Sequence, residues 1–203
     1  MYRVFEYGQA EMDYLVKKDK ILGVAIDEIG EIRRKVTPDP FTALINSIVS
    51  QQISKKAAAT VWERLRGTLT EITPQSIVGA RVEDLRKCGM SERKAGYIRG
   101  VGEAVVCGEV DFDAFDTMDD HEIIKELTTL KGVGIWTAEM LLIFSLQRPD
   151  VVSWGDLAIR RGMMKLYDVD DLTREEFQMY RKRYSPFGSV ASLYLWEISG
   201  QSE

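Results

Sequence analysis

Residues 130–161 read LKGVGIWTAEMLLIFSLQRPDVVSWGDLAIRR, and the fold and the function both turn on this stretch. Gly132 and Gly134 stand between two patterns of helical spacing. Both can take positive φ, which leaves backbone N–H groups pointing together at the start of the following helix. Such a nest, at the positive end of a helix dipole, suits a phosphate oxygen. A plain joint between two helices would use the same residues, so the turn alone leaves both readings open. Beyond the apolar run MLLIF, Asp156 follows Trp154 and Gly155 and opens another helical pattern. A bare turn is thus followed, a short way along the chain, by a single carboxylate.

Outward from this stretch the pattern is helical almost throughout, and the expected fold class is all-α. Residues 9–34 carry apolar positions three and four apart (Met12, Leu15, Val16; Leu22, Ile26, Ile29), with Gly23 or Gly30 as breaks. After Pro38-Asp39-Pro40, helices are predicted over 41–50 and 55–66, the second capped by Ser54. Thr73 and Pro74 start a short helix ending near Gly79; residues 82–87 form another, closed by Gly89; Ser91 caps a longer one reaching 106. Residues 111–116 read as a linker, and helices follow over 118–129, 135–146, 156–167, 173–183 and 187–199. Val4-Phe5 and Val151-Val152 are the only β-rich pieces, and no repeat or low-complexity tract is present.

The composition narrows the function classes. With 203 residues, 45% hydrophobic and 29% charged, the chain can bury a substantial core. The N-terminal MYRVFEYGQAEMD lacks the basic and apolar regions of a signal peptide, and no apolar run is long enough to span a bilayer, so a cytoplasmic protein without membrane contact is expected. Cys88, Cys107 and one histidine, His121, are too few for a disulfide framework, a cysteine-ligated cluster or a dense metal site. The net charge of −5 argues against a polyanionic partner, yet the charges are segregated. Residues 109–126 hold eight acids and one lysine, whereas the surroundings of Lys55 and Lys56, residues 81–99 and residues 160–183 are each more basic than acidic. A local basic face is compatible with an acidic whole.

LKGVGIWTAEMLLIF resembles the hairpin of the helix–hairpin–helix DNA glycosylases (the HhH-GPD superfamily), in which Leu-x-Gly-apolar-Gly precedes a helix that opens with Thr-Ala. NSIVSQQISKKAAATVW at 46–62 is similar to that family's helix–loop–helix, CGMSERKAGYIRGVGEAV at 88–105 to a segment of its alkylation-repair branch, and SPFGSVASLYLW at 185–196 to that branch's last helix. The resemblance covers about residues 38–198 and is closest to the 3-methyladenine DNA glycosylase II type. It implies two helical lobes around a cleft in a single domain, here residues 38–117 and residues 1–37 with 118–203.

The resemblance also assigns roles. Asp156, 22 residues after Gly134, takes the place of the catalytic aspartate. Trp136 and Trp196 match tryptophans of the base pocket, to which Trp154 and Met140 are added. Gln52, with Gln51 beside it, takes the place of the side chain that fills the gap left by a flipped base. Lys131, Gly132, Val133, Gly134 and Thr137 would meet the DNA backbone, with Lys55, Lys56, Arg93 and Lys94 as helpers. Hairpin carbonyls near Leu130 and Gly132 would hold a monovalent cation, Na⁺ or K⁺, with no metal bound by side chains and no iron–sulfur cluster. In strand-cutting relatives a lysine stands where this chain has Trp136. Lys131 lies where many members have proline, and the chain has neither the four-cysteine cluster of the endonuclease III branch nor room for the N-terminal β domain of larger members.

The expected activity is therefore removal of alkylated purines from double-stranded DNA by a monomeric, monofunctional glycosylase of the cytoplasm and nucleoid, or of the nucleus in a eukaryote. The chemistry is consistent with the residue types. A base inside a duplex must be rotated out before it can be attacked, and damage lowers the cost of unstacking it. Cleavage of the N-glycosidic bond leaves positive charge on the sugar, which a carboxylate stabilises. A methylated purine is itself cationic, and aromatic faces attract it. The alternatives are a helix–hairpin–helix module that only binds DNA, a helical bundle for protein partners, and a glycosylase for oxidised or mismatched bases.

Overall fold

The computed structural model describes residues 3–200, and every regular element among them except one isolated bridge is helical. The helices are α1 (Gln9–Lys18), α2 (Lys20–Ile29), α3 (Pro40–Ser50), α4 (Lys55–Leu69), α5 (Pro74–Gly79), α6 (Val82–Lys87), α7 (Glu92–Val106), α8 (Asp120–Leu127), α9 (Ile135–Phe144), α10 (Leu157–Tyr167), α11 (Arg174–Tyr184) and α12 (Gly188–Ser199), with a 3₁₀ helix over Phe112–Thr117. Side-chain caps start them where the sequence indicates. Ser54 accepts from the Ala57 amide at 3.2 Å, Thr73 from Ser76 at 3.1 Å and Ser91 from Lys94 at 3.3 Å. None of these helices is long and apolar enough to cross a membrane.

The helices group into two compact units: Thr37–Leu141, and the described parts of Met1–Val36 with Leu142–Glu203. The expected lobes were divided at the acidic stretch 109–117. The division falls inside α9 instead, because that stretch is no linker. Residues 112–117 form the 3₁₀ helix, Phe115 is fully buried, and Phe112 packs edge-on against Phe41 of α3 at 6.1 Å and against Phe115 at 5.1 Å. The aromatic anchor ties the hairpin helix α8 to the same unit as α3–α7.

In the other unit α12 is the central element, buried from Gly188 to Trp196. It lies so close to α10 that a Cβ on Gly162 would overlap the carbonyl of Leu195. The first helical stretch breaks at Asp19, not at Gly23, which stays within α2. Asp19 caps α2 through the Ile21 and Leu22 amides, and its other oxygen accepts from the Tyr167 hydroxyl at 2.6 Å and Arg183 at 3.2 Å. Burial would raise the Asp19 carboxyl, but hydrogen bonds from Tyr167, the Leu22 amide and Arg183 outweigh it and hold the group below the usual carboxylate range.

Val4 pairs with Lys35 in one antiparallel bridge, whereas Val151-Val152 forms no strand and is buried beside α12. Gly162→Ala should unsettle the α10–α12 contact by about 1–3 kcal/mol, the usual cost of overpacking. Thermal denaturation followed by circular dichroism should show a clear fall in Tm, and an unchanged Tm would mean that the contact is not tight.

Candidate active site and nucleic-acid interface

The carboxylate of Asp156 caps α10. Its Oδ1 accepts from the amides of Ala158 at 2.8 Å and Ile159 at 2.9 Å, and from the indole Nε1 of Trp196 at 3.2 Å. Asp156 is 7% exposed, so these donors replace water around a negative group, and the positive end of α10 adds to them. The preceding loop is stitched to α12 by residues that the sequence reading overlooked. Ser189 Oγ accepts from the Val151 amide at 3.0 Å, Ser192 Oγ donates to the Val151 carbonyl at 2.9 Å, and Asp150 accepts from Ser185 and from the Gly188 amide. Ser189, Ser192 and Trp196 recur at helical spacing and share one face of α12. A single helix face therefore fixes both the loop and the carboxylate at its end.

Trp196 is almost fully buried, and its ring tilts by 31° against Phe144 at 5.3 Å. The Arg34 guanidinium lies 5.8 Å from the Trp196 ring centre and 6.0 Å from that of Phe144. Neither Arg34 nor Phe144 carries a motif that could have singled it out. Trp154 meets Phe177 edge-on at 5.1 Å, with the Arg160 guanidinium over it at 5.0 Å. These packing contacts account for its position. Leu157, beside the carboxylate, is half exposed.

The hairpin runs from α8 through 128–134 into α9. Only Gly132 of the two glycines has positive φ, at +89°, and a Cβ there would overlap the Tyr97 ring of α7. Gly134 lies outside that region of φ, and a Cβ on it would meet nothing within 4 Å. Gly132 is thus required by the turn and its packing, while Gly134 leaves the start of α9 uncovered. Lys131, Gly134, Ile135 and Trp136 are exposed, Trp136 by 42%, whereas Val133 and Thr137 are buried and Met140 is half-buried. Of the residues expected on the DNA backbone, Val133 and Thr137 therefore offer backbone rather than side chain.

The loop after α3 is bound to this turn. Gln51 Nε2 donates to the Gly132 carbonyl at 2.9 Å, while Gln52 takes a left-handed φ of 58° and is exposed. Of the expected wedge pair, Gln51 thus holds the turn and Gln52 is exposed. Lys94, expected to help on phosphate, instead donates to the carbonyls of Val49 at 2.8 Å and of Gln51. The last turn of α3 leaves carbonyls without helical partners, and the amine satisfies them. Burial, with Arg93 nearby, pushes the Lys94 amine below its ordinary range. Lys55, Lys56 and Arg93 remain exposed cations.

A tight glycine turn leading from α8 into α9 is the mark of a helix–hairpin–helix protein, and sequence comparison agrees. Residues 45–186 match the HhH-GPD superfamily of base excision DNA repair proteins, and the chain belongs to that family. It is 34% identical over 166 residues to DNA-3-methyladenine glycosylase 1 of Schizosaccharomyces pombe, covering 79% of this chain and 73% of that protein. The crystal structure of a DNA-3-methyladenine glycosidase from Bacillus halodurans is similar, with a TM-score of 0.88 at 37% identity over 98% of this chain and 93% of the other. A 3-methyladenine DNA glycosylase of S. pombe in complex with abasic DNA has a TM-score of 0.81 at 30% identity, covering 93% of this chain and 96% of that one.

The two glycines should separate on substitution. Gly132→Ala should cost about 1–3 kcal/mol through its φ and the Tyr97 overlap, whereas Gly134→Ala should leave Tm within about 1 °C. Parallel melting curves decide it; equal losses would contradict the assignment.

Proposed function

We propose that the protein is a monofunctional DNA glycosylase that rotates alkylated purines, 3-methyladenine and related lesions, out of duplex DNA and hydrolyses the N-glycosidic bond. The observation that carries this reading is Asp156, buried at the head of α10 with three donors on one oxygen. Held in this way, the carboxylate has a fixed plane and stands ready for positive charge developing on the sugar. A cationic methylated purine leaves readily, so little acid catalysis is needed. Water completes the reaction, because the position of the strand-cutting relatives' lysine is Trp136, whose indole cannot form a Schiff base.

DNA is held by the uncovered amides at the start of α9, with Lys131, Lys55, Lys56 and Arg93 as cationic neighbours, and Gln52 enters the gap left by the flipped nucleotide. Amide contacts add no formal charge, which lets a chain of net charge −5 grip a polyanion. The carbonyls of Leu130 and Gly132 each accept one hydrogen bond, from the Val133 amide at 3.1 Å and from Gln51 at 2.9 Å. Each keeps a second lone pair, so the turn fits a monovalent cation that would bring positive charge toward a phosphate. Trp136 offers its half-exposed ring to the base. The protein acts as a monomer in the compartment that holds the DNA.

Methylated duplex DNA incubated with wild type and with Asp156→Asn tests the reading. Wild type should release free methylated purine, and the variant should lose about 10²–10³-fold or more in rate. Binding without release by the wild type would indicate a DNA-binding module, and neither would indicate a helical bundle. Borohydride added during turnover should trap no covalent adduct; a trapped adduct would overturn the assignment of water as nucleophile.

A further inference from the structure

We propose that Gln51 and Lys94 are positioning residues that preset Gln52 for entry into the base stack. The inference rests on the glycosylase reading, in which Gln52 fills the gap left by the flipped nucleotide, and deepens it. Gln52 has a φ of 58° and an exposed side chain. A left-handed backbone is uncommon for a residue with a Cβ, and it persists only where the surroundings over-determine it. The end of α3 does not account for it. Gln51, the residue before, has already left helical dihedrals at ψ 133°, whereas the usual left-handed cap closes a helix directly.

On the N-terminal side of Gln52 the chain is fixed through Gln51. The Gln51 amide donates to the Ile48 carbonyl at 3.4 Å, its Nε2 donates to the Gly132 carbonyl at 2.9 Å, and its own carbonyl accepts from the Lys94 amine. Lys94 also donates to the Val49 carbonyl at 2.8 Å, so one amine clamps the last turn of α3 together with the peptide that leads into Gln52. Its positive charge sits at the negative end of α3, where a cation is favoured. On the C-terminal side Ser54 caps α4 through the Ala57 amide at 3.2 Å. Gln52 and Ile53 span the gap between these fixed points. Their conformational freedom is largely lost before DNA arrives, so little ordering remains to oppose entry of the side chain. Gln51 and Lys94 need not touch DNA for this; they act through Gln52.

The test is a double-mutant cycle on the full chain. The single-turnover rate at saturating protein, on a duplex bearing one 7-methylguanine, is measured for wild type, Gln51→Leu, Gln52→Ala and the double variant. At saturation this rate is independent of how much of a preparation is folded. Each single variant should slow release roughly tenfold, and the double variant should stay within about threefold of Gln52→Ala, because nothing is left to position once that side chain is gone. Lys94→Met, paired with Gln52→Ala in a second cycle, should behave alike and serves where Gln51→Leu does not fold. Losses that multiply to roughly a hundredfold, or a wild-type rate in either positioning variant, would overturn the positioning role and leave the glycosylase reading in place. A wild-type rate in Gln52→Ala would overturn the wedge and the inference together. No release by the wild type would overturn the glycosylase reading as well.

Discussion

A carboxylate can be buried at low cost only where donors replace the water it loses, and the site is arranged around that requirement at Asp156. Two amides come from the first turn of α10, which any Asp at an N-cap would recruit. The third donor, the Trp196 indole, comes from α12, 40 residues along the chain. The arrangement therefore demands that α10 and α12 lie close, and Gly162 allows their backbones to touch. It also demands that the loop before Asp156 be held in place, which Ser189 and Ser192 do from the same face of α12. Burial of α12 from Gly188 to Trp196 follows from this part as much as from its apolar composition.

The hairpin obeys a different constraint, that of a tight turn between two helices. Gly132 supplies the backbone conformation and Tyr97 fills the space against it. Gln51 then ties the turn to the loop after α3, and Lys94 closes the end of α3 itself. The turn, the loop after α3 and the end of α3 are thereby braced by one another within a single unit. Positioning of this kind is worth more to a reaction than additional charge, since misplacement of reacting groups is costly.

Much of this was legible in the sequence. The N-caps at Ser54, Thr73 and Ser91, the glycine turn and the aspartate at a helix start are local signals, and local hydrogen-bond chemistry decides them. What failed was whatever depended on distant partners. Residues 109–117 look like a linker because they are acidic, yet two phenylalanines anchor them to α3. Lys94 looks like a surface cation because nothing in its neighbourhood announces the unpaired carbonyls of α3. Gln51 and Gln52 are identical in type, and only the tertiary fold ties the first to the Gly132 carbonyl and leaves the second exposed. Arg34 and Phe144 carry no motif, and their relation to Trp196 emerges only from the packing of segments far apart in the chain.

The central claim is that Asp156 serves hydrolysis of a glycosidic bond with the DNA strand left whole. Mass spectrometry of a duplex bearing one alkylated purine, before and after incubation with the protein, reads both halves of it at once. The account predicts free base together with a full-length strand whose lost base has been replaced by hydroxyl at the sugar. A strand shortened by elimination at the lesion, or a strand of unchanged mass, would contradict it.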